Sequence, residues 1–97
     1  MITVNRAKGF VDWLNSLTVK EQLKVESRIE KIENLGHFGD VKDLKDGVAE
    51  LRWKNGWRAY FIKEASRTIL LLLGGDKNGQ KQDIKKAKIL ARRYANN

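Results

Sequence analysis

The sequence contains no cysteine and no proline, and its 97 residues include a single histidine. Without cysteine the chain has neither a disulfide framework nor a cysteine metal site, and without proline its helices and strands run uninterrupted. No apolar run approaches the roughly 18 residues of a membrane span, and no signal peptide is recognisable at the amino terminus. These absences predict one cytoplasmic domain over residues 1–97, with a modest core and no membrane segment.

Positive charge is in excess and is concentrated in one half of the chain. The formal net charge is +8. Residues 1–47 hold eight basic and eight acidic side chains, whereas residues 48–97 hold twelve basic and four acidic ones. A basic half beside a neutral half favours one face that binds a polyanion such as RNA, with an affinity that depends on salt. An acidic protein partner is the competing interpretation of the same charge.

Two segments that alternate apolar and polar residues, 49–53 and 57–61, flank the turn sequence Lys54-Asn55-Gly56. Such alternation predicts two half-buried strands of a hairpin. If all three spacer residues form the loop, Trp53 faces Trp57 and one face of the hairpin is apolar throughout. A two-residue loop mixes polar and apolar side chains on both faces, so burial favours the longer loop. Its final glycine suits the left-handed position that ends such a loop.

The three-residue loop places Arg52 opposite Arg58 and Glu50 opposite Tyr60 on the other, open strand face. Like charges directly opposite each other destabilise a strand pair, so the two arginines indicate a use other than folding. A forked guanidinium grips a phosphate with two hydrogen bonds. The alternatives are that the arginines only cover an exposed edge and that Glu50 only offsets their charge.

The remaining pattern predicts an α+β fold. Asn5 is expected to cap a first helix that ends near Ser16, and a capping box at Thr18–Glu21 begins a second helix that stops at Gly36. This N-terminal helical hairpin is expected to pack on a three- to four-stranded antiparallel sheet, with the apolar run 68–73 as an interior strand. A basic C-terminal helix completes the domain.

The helices differ in their surfaces. The second helix is expected to bury its apolar residues Leu23, Val25, Ile29, Ile32 and Leu35. Its charged residues Lys24, Arg28 and Lys31 alternate with glutamates, which is typical of a solvated helix face. The tryptophans Trp13, Trp53 and Trp57 are expected to anchor the core. The hairpin turn and the basic C-terminal helix predict nucleic-acid contacts at Lys54, Lys81, Lys85, Lys88, Arg92 and Arg93.

Six short motifs resemble a known family. They are Phe10-x-x-Trp13-Leu14, Phe38-Gly39-Asp40-Val41-Lys42, Glu50-Leu51-Arg52, Trp57-Arg58-Ala59-Tyr60-Phe61, Gly74-Gly75-Asp76-Lys77, and Gln80 with Asp83-Ile84. Their order resembles the RelE/HigB toxin superfamily, and more narrowly its phage-derived branch of addiction-module killer proteins. The similarity extends over nearly the whole chain.

The resemblance implies the toxin of a type II toxin–antitoxin module, whose partner is a helix-turn-helix antitoxin similar to HigA. Many members of the superfamily cut messenger RNA in the ribosomal A site without a metal or another cofactor. A sister branch similar to ParE instead poisons DNA gyrase. A prophage remnant that only binds RNA or antitoxin is a third alternative.

The resemblance also implies where an RNA phosphate binds. Metal-free cleavage needs fixed positive charge at the transition state. Arg52 and Arg58 align with the basic strand positions of the family's active site. Lys77 follows the double glycine Gly74-Gly75, whose backbone is expected to form an anion-binding nest.

Cleavage also needs a base for the 2′-hydroxyl and an acid for the leaving 5′-oxygen. Glu50, Tyr60 and Tyr94 are the candidates, and Tyr94 is included because RelE-like nucleases often place an aromatic residue near the C-terminus. His37 lies in a loop outside the basic half. The chain therefore departs from histidine-rich HigB-type sites, and arginine, lysine and tyrosine are the expected active groups.

Overall fold

The structure, a computed structural model, describes residues 1–95. Within these residues the elements are β1 (Thr3–Arg6), α1 (Lys8–Asn15), α2 (Val19–Leu35), β2 (Val41–Asp43), β3 (Val48–Arg52), β4 (Trp57–Ala65), β5 (Thr68–Asp76) and α3 (Gln80–Ala95). The strands form one sheet in the order β1-β5-β4-β3-β2. β1 is parallel to β5, and the other neighbours are antiparallel. The predicted α+β fold is confirmed, with a five-stranded mixed sheet in place of three or four antiparallel strands.

Asn5 lies in a strand where the sequence predicted a helix cap. Asn5 lies in β1 opposite Leu70, and its side-chain amide donates to Glu64 Oε1 at 3.1 Å. The predicted cap at Asn5 is therefore wrong, because α1 begins only after Ala7, which provides no side-chain cap. Pairing with the apolar strand β5 satisfies the backbone groups of β1, and this tertiary gain outweighs a local capping preference.

Both ends of α2 follow their sequence signals. The Thr18 hydroxyl accepts from the Glu21 backbone N–H at 3.2 Å, and the Glu21 carboxylate accepts from the Thr18 N–H at 2.9 Å. Gly36 ends the helix in the left-handed conformation. The buried face is narrower than predicted, since Leu23 and Leu35 are 64% and 70% exposed. The apolar residues of α2 that are buried are Val25, Ile29 and Ile32.

Helices cover both faces of the sheet. α1 and α2 pack on one face, against a core that includes Leu51, Ala59 and Leu71. α3 packs on part of the other face through Ala87 and Ala91. β5 lies between β1 and β4 with helices on both sides, as its continuous apolar sequence predicted.

The β3–β4 hairpin has the predicted three-residue loop. The Trp53 N–H donates to the Trp57 carbonyl oxygen at 3.0 Å, and Gly56 has a positive φ of 104°. Arg52 therefore pairs with Arg58. Burial of the two tryptophans determines which way the arginines face, because a slip by one residue would exchange them.

The three tryptophans are core anchors, as predicted. The Trp57 ring lies edge-on to Trp53 and to Trp13, with centroid distances of 6.4 and 6.2 Å. Trp13 in turn lies directly on the backbone of β5 at Gly74, where a Cβ atom would come within 2.1 Å of the indole ring. The absence of a side chain at residue 74 is thus what lets α1 approach the sheet.

Gly74→Ala is expected to destabilise the fold by about 1–3 kcal/mol, the usual cost of overpacking, because its methyl group displaces Trp13. Urea unfolding measures the effect. Gly79→Ala is the matched control: its nearest neighbour would be Asp83 Oδ2 at 3.4 Å, and its stability is expected to stay within about 0.5 kcal/mol of wild type. A Gly74→Ala protein as stable as this control would contradict the packing of Trp13 on β5.

Candidate functional site

Side chains of three strands form two rows on the sheet face that α3 partly covers. The first row, which we call the arginine row, consists of Arg52 and Arg58, and it continues to Gly75 of β5. The second row holds Glu50 and Tyr60. α3 begins beside the second row, so the arginine row lies at the loop end of this face, where both arginines are partly exposed.

Both arginines are partly exposed, but their Nε atoms are buried. The backbone N–H of Arg52 points away from β4 and donates to the Asp40 carbonyl oxygen. Arg52 and Arg58 therefore form a non-hydrogen-bonded pair of the ladder, with Cα atoms about 4.5 Å apart. Arg52 Nε lies 3.7 Å from the Asp40 carboxylate, an ion pair longer than a hydrogen bond. Arg58 Nη1 donates to the carbonyl oxygens of Trp53 and Trp57 at 3.3 and 3.0 Å. Among residues 1–95, neither Nε has a hydrogen-bond partner.

Glu50 and Tyr60 are fully buried behind the arginine row, so the prediction that they lie on an open face is wrong. The side chain of Gln80, the first residue of α3, donates to Glu50 Oε2 at 2.7 Å. Glu50 Oε1 and the Tyr60 hydroxyl have no partner within the described part of the chain. Folded proteins leave few buried polar atoms unpaired. Their concentration beside two arginines marks this place as a candidate binding site.

Tyr60 is neutral over the physiological range. Burial raises the pKa of its phenol above the ordinary value, the nearby charges of Glu50 and Asp83 raise it further, and Arg58 opposes them. A neutral phenol can donate a proton to a leaving group but cannot act as a general base.

Tyr60→Phe is expected to reduce the loss of stability at alkaline pH. A group whose pKa is raised on folding stabilises the fold at pH values below its pKa in the unfolded chain, which is about 10 for tyrosine. This contribution is lost as the pH rises above that pKa. Between about pH 9.5 and pH 11.5 the wild type should therefore lose at least about 1 kcal/mol more than Tyr60→Phe. Urea unfolding at both pH values measures this difference. Tyr94→Phe, at a partly exposed position, is the control and should follow the wild type; equal losses in all three proteins would contradict the burial of a neutral phenol.

The double glycine before Lys77 is not an anion nest. A nest requires a left-handed residue, whereas Gly74 and Gly75 lie in β5 and neither has a positive φ. The predicted nest is therefore wrong, because these glycines provide space: a Cβ atom on Gly75 would lie 2.2 Å from Asp83 Oδ2. The aliphatic part of Lys77 packs over Gly56, which places Lys77 at the turn of the β3–β4 hairpin.

Asp83 belongs to this site, although the sequence analysis gave it no role. Its carboxylate lies over Gly75, beside the end of the arginine row. Burial raises the pKa of Asp83, Lys86 opposes the rise and Asp76 adds to it. Gln80 and Asp83 are three residues apart in α3 and share a helix face, which is the signal that could have placed Asp83 near Glu50.

The predicted contacts farther along α3 lie away from the arginine row. Tyr94 is about 21 Å along the helix axis from Gln80 and is 41% exposed, so the structure does not bring it to the other candidate catalytic residues. Lys88 Nζ lies 3.4 Å from the Asp46 carboxylate. The remaining predicted nucleic-acid contacts are exposed: Lys54, Lys81, Lys85, Arg92 and Arg93.

The sequence predicted that Arg28 is a solvated surface residue, and this prediction is wrong. We call Arg28 a clamp because its guanidinium holds several backbone carbonyl groups together. Its guanidinium donates to the carbonyl oxygens of Phe38 and Asp40 in the loop after α2, and to that of Arg52. It also lies 4.5 Å from the centroid of the Trp53 ring. Burial lowers the pKa of Arg28, which Asp40 partly opposes. The clamp holds the end of β3, and therefore helps to position Arg52.

His37 is exposed in the loop after α2, on the side of the sheet that faces away from the arginine row. Over residues 1–95, no group of three or more histidine, cysteine, aspartate or glutamate side chains is placed to hold a metal ion. In the same residues no helix has the length and apolar character needed to cross a membrane.

Solved RelE structures share this fold. The RelB–RelE antitoxin–toxin complex from Methanococcus jannaschii has a TM-score of 0.65 and 18% identity, over 80% of this chain and 95% of that chain. The intact E. coli RelBE complex has a TM-score of 0.64 and 6% identity, over 78% and 96%. The isolated E. coli RelE toxin has the same TM-score and identity, over 89% and 98%. The predicted RelE-like fold is confirmed.

Sequence comparison gives the family. The family described as Phage derived protein Gp49-like matches residues 12–95. An uncharacterized protein of Haemophilus influenzae is 38% identical over 93 residues, which are 93% of each chain. The chain belongs to the phage-derived Gp49-like family, and the predicted phage-derived branch is confirmed.

Proposed function

We propose that this protein is the toxin of a type II toxin–antitoxin module and cleaves messenger RNA in the ribosomal A site. The observation that carries the proposal is the pair Arg52 and Arg58, two partly exposed arginines side by side on a RelE-like sheet, whose buried Nε atoms have no hydrogen-bond partner among residues 1–95. Solved proteins of this fold include one described as a toxin and others described as antitoxin–toxin complexes. The proposed partner is an antitoxin of the helix-turn-helix, HigA-like type.

The arginine row supplies the charge that the reaction needs. The 2′-hydroxyl attacks the adjacent phosphorus and forms a 2′,3′-cyclic phosphate, while the bond to the 5′-oxygen breaks. Two negative oxygens on the phosphorane-like transition state are bound by the guanidinium groups of Arg52 and Arg58. Lys77, at the neighbouring hairpin turn, adds a third cation. This arrangement places the positive charge in side chains and requires no metal.

The buried second row supplies the proton transfers. Glu50, whose buried Oε1 has no hydrogen-bond partner among residues 1–95, takes the proton of the 2′-hydroxyl. Tyr60 keeps its proton at neutral pH and gives it to the leaving 5′-oxygen. Because Gln80 holds Glu50, the proposal requires this hydrogen bond to open when RNA binds. Tyr94 remains a candidate from the family resemblance alone.

Induced expression in bacteria, with mapping of messenger RNA ends, tests the proposal. The wild type is expected to arrest growth and to create new RNA ends, and Arg58→Ala is expected to do neither. Lys63→Ala removes an exposed charge at the far end of the same strand and is expected to behave as wild type. Growth arrest with intact messages would contradict the proposal, and DNA breakage in those cells would indicate the ParE-like alternative. RNA ends that persist in Arg58→Ala would contradict the assigned site.

A further inference from the structure

A second cationic site lies on the other side of β3, on the face that α2 covers. It is a cleft of about 370 Å³ between α2, the loop that follows it and the end of β3. Its walls include Lys24, Arg28, Lys31, His37, Gly39 and Trp53.

The positive charge of this cleft is offset only in part, by the nearby charge of Asp40 acting on Arg28. In residues 1–95, Lys24 and Lys31 form no ion pair, and no acidic side chain is among those lining the cleft. Arg28 donates to neutral carbonyl groups, so these bonds fix its position without cancelling its charge. The carboxylate of Asp40 is 3.7 Å from Arg52 on the opposite face. The cleft is therefore an electropositive depression that attracts an anion.

The spacing of the cations fits a chain rather than a single small anion. Lys24, Arg28 and Lys31 follow one another at intervals of four and three residues, which places them on one face of α2. Lys24 and Lys31 are about 10 Å apart along the helix axis. His37 is exposed at the cleft, and a planar side chain beside cations is a common setting for an unpaired base.

Arg28 links the cleft to the arginine row at the end of β3. Arg28 donates to the carbonyl oxygen of Arg52, so one residue of the cleft directly holds one residue of the row. The edge strand between the two sites, β2, is only three residues long. We propose that the cleft binds the phosphate backbone of single-stranded RNA, a few nucleotides away from the phosphate held by Arg52 and Arg58. This inference rests on the proposed function for the identity of the polyanion.

RNA binding to cleft variants tests this inference. Fluorescence anisotropy measures the affinity of the full chain for a labelled 12-nucleotide RNA in which every sugar is 2′-O-methylated, so that cleavage is impossible. Lys24→Gln/Lys31→Gln is expected to weaken binding about tenfold at 0.1 M salt. The slope of log K against log salt should shrink by about 1.4, because each phosphate contact on a single strand contributes about 0.7.

The matched control is Lys8→Gln/Lys45→Gln, which removes two exposed charges, neither of which lines the cleft. Its affinity is expected to fall less than about twofold, with a smaller change in slope. Equal losses in the two double variants would overturn the inference. A 12-residue polyglutamate that binds as tightly as the RNA, and loses affinity equally in the cleft variant, would assign the cleft to acidic proteins and would also overturn it.

Binding and cleavage fail separately in this design. The methylated RNA reports on the cleft whether or not the protein is a nuclease. A tenfold loss in the cleft variant supports the cleft even if expression of the wild type leaves messages intact, which would contradict only the proposed function. Conversely, if the wild type cleaves messages in cells but the cleft variant and the control variant bind the methylated RNA equally well, only the RNA-binding role of the cleft is overturned.

Discussion

Replacing Arg28 by alanine is expected to lower the free energy of unfolding by about 3 kcal/mol. The substitution removes the donors to the part-buried carbonyl oxygens of Phe38 and Arg52, and each buried acceptor left unpaired costs about 1–3 kcal/mol. The Asp40 carbonyl oxygen keeps its bond from the backbone N–H of Arg52. Loss of the contact with the Trp53 ring adds about 0.5–2 kcal/mol, and relaxation and access of water return part of the sum. In a domain of this size the melting temperature falls by about 12–24 °C.

Thermal unfolding followed by circular dichroism measures the change. Lys31→Ala, nearly one turn along the same helix and exposed, is the matched control for stability and should stay within about 0.5 kcal/mol of wild type. Arg28→Lys keeps the charge but not the fork, and is expected to fall between the two. If Arg28→Ala melted at the temperature of Lys31→Ala, the clamp would have no energetic role.

Replacing Arg52 by glutamine is expected to slow RNA cleavage about 10²–10³-fold, the usual cost of one donor to a transition-state oxyanion. The free energy of unfolding is expected to stay nearly unchanged. Arg52→Gln relieves a like-charge pair and loses an ion pair of 3.7 Å between partly exposed groups, which is worth about 0–1 kcal/mol. Arg58→Gln should lose as much activity and also about 1 kcal/mol of stability, because Arg58 donates to two carbonyl oxygens.

Cleavage and urea unfolding are to be measured on the same preparations, so that lost activity is not confused with lost fold. Arg52→Lys is a useful second variant, because it keeps the charge but removes the forked guanidinium. Its activity is expected to lie between those of Arg52→Gln and the wild type. An Arg52→Gln protein with full activity and unchanged stability would remove Arg52 from the site.

The register of the hairpin was predictable because the tryptophans and arginines alternate. A slip by one residue would bury Arg52 and expose Trp53, so the sequence itself excludes the wrong pairing. The extension of β1 through Asn5 and Arg6 was not predictable in the same way. Its pairing with β5 is a contact between distant parts of the chain, whereas the capping signal at Asn5 is local, and local propensity yields to tertiary contacts.

The candidate site was predictable as far as strand alternation determines it. Alternation placed Arg52, Arg58, Glu50 and Tyr60 on one face, but it carried no information on the depth to which α3 buries the last two. Arg28 was missed because its partners are backbone carbonyl groups, which leave no trace in side-chain patterns. The nest was wrong because a double glycine allows either a left-handed turn or a strand that larger side chains approach closely, and Asp83 reveals the second use only in three dimensions.

Single-turnover cleavage of a messenger RNA positioned in the A site of a programmed ribosome tests the central claim most directly. The wild type is predicted to produce one new RNA end at that site. Arg52→Gln/Arg58→Gln, shown to be folded by its unfolding transition, is predicted to be at least about 10⁴-fold slower, since it lacks two transition-state donors. No cleavage by the wild type, or a double variant that cleaves at the wild-type rate, would contradict the assignment of the arginine row as the site of RNA cleavage.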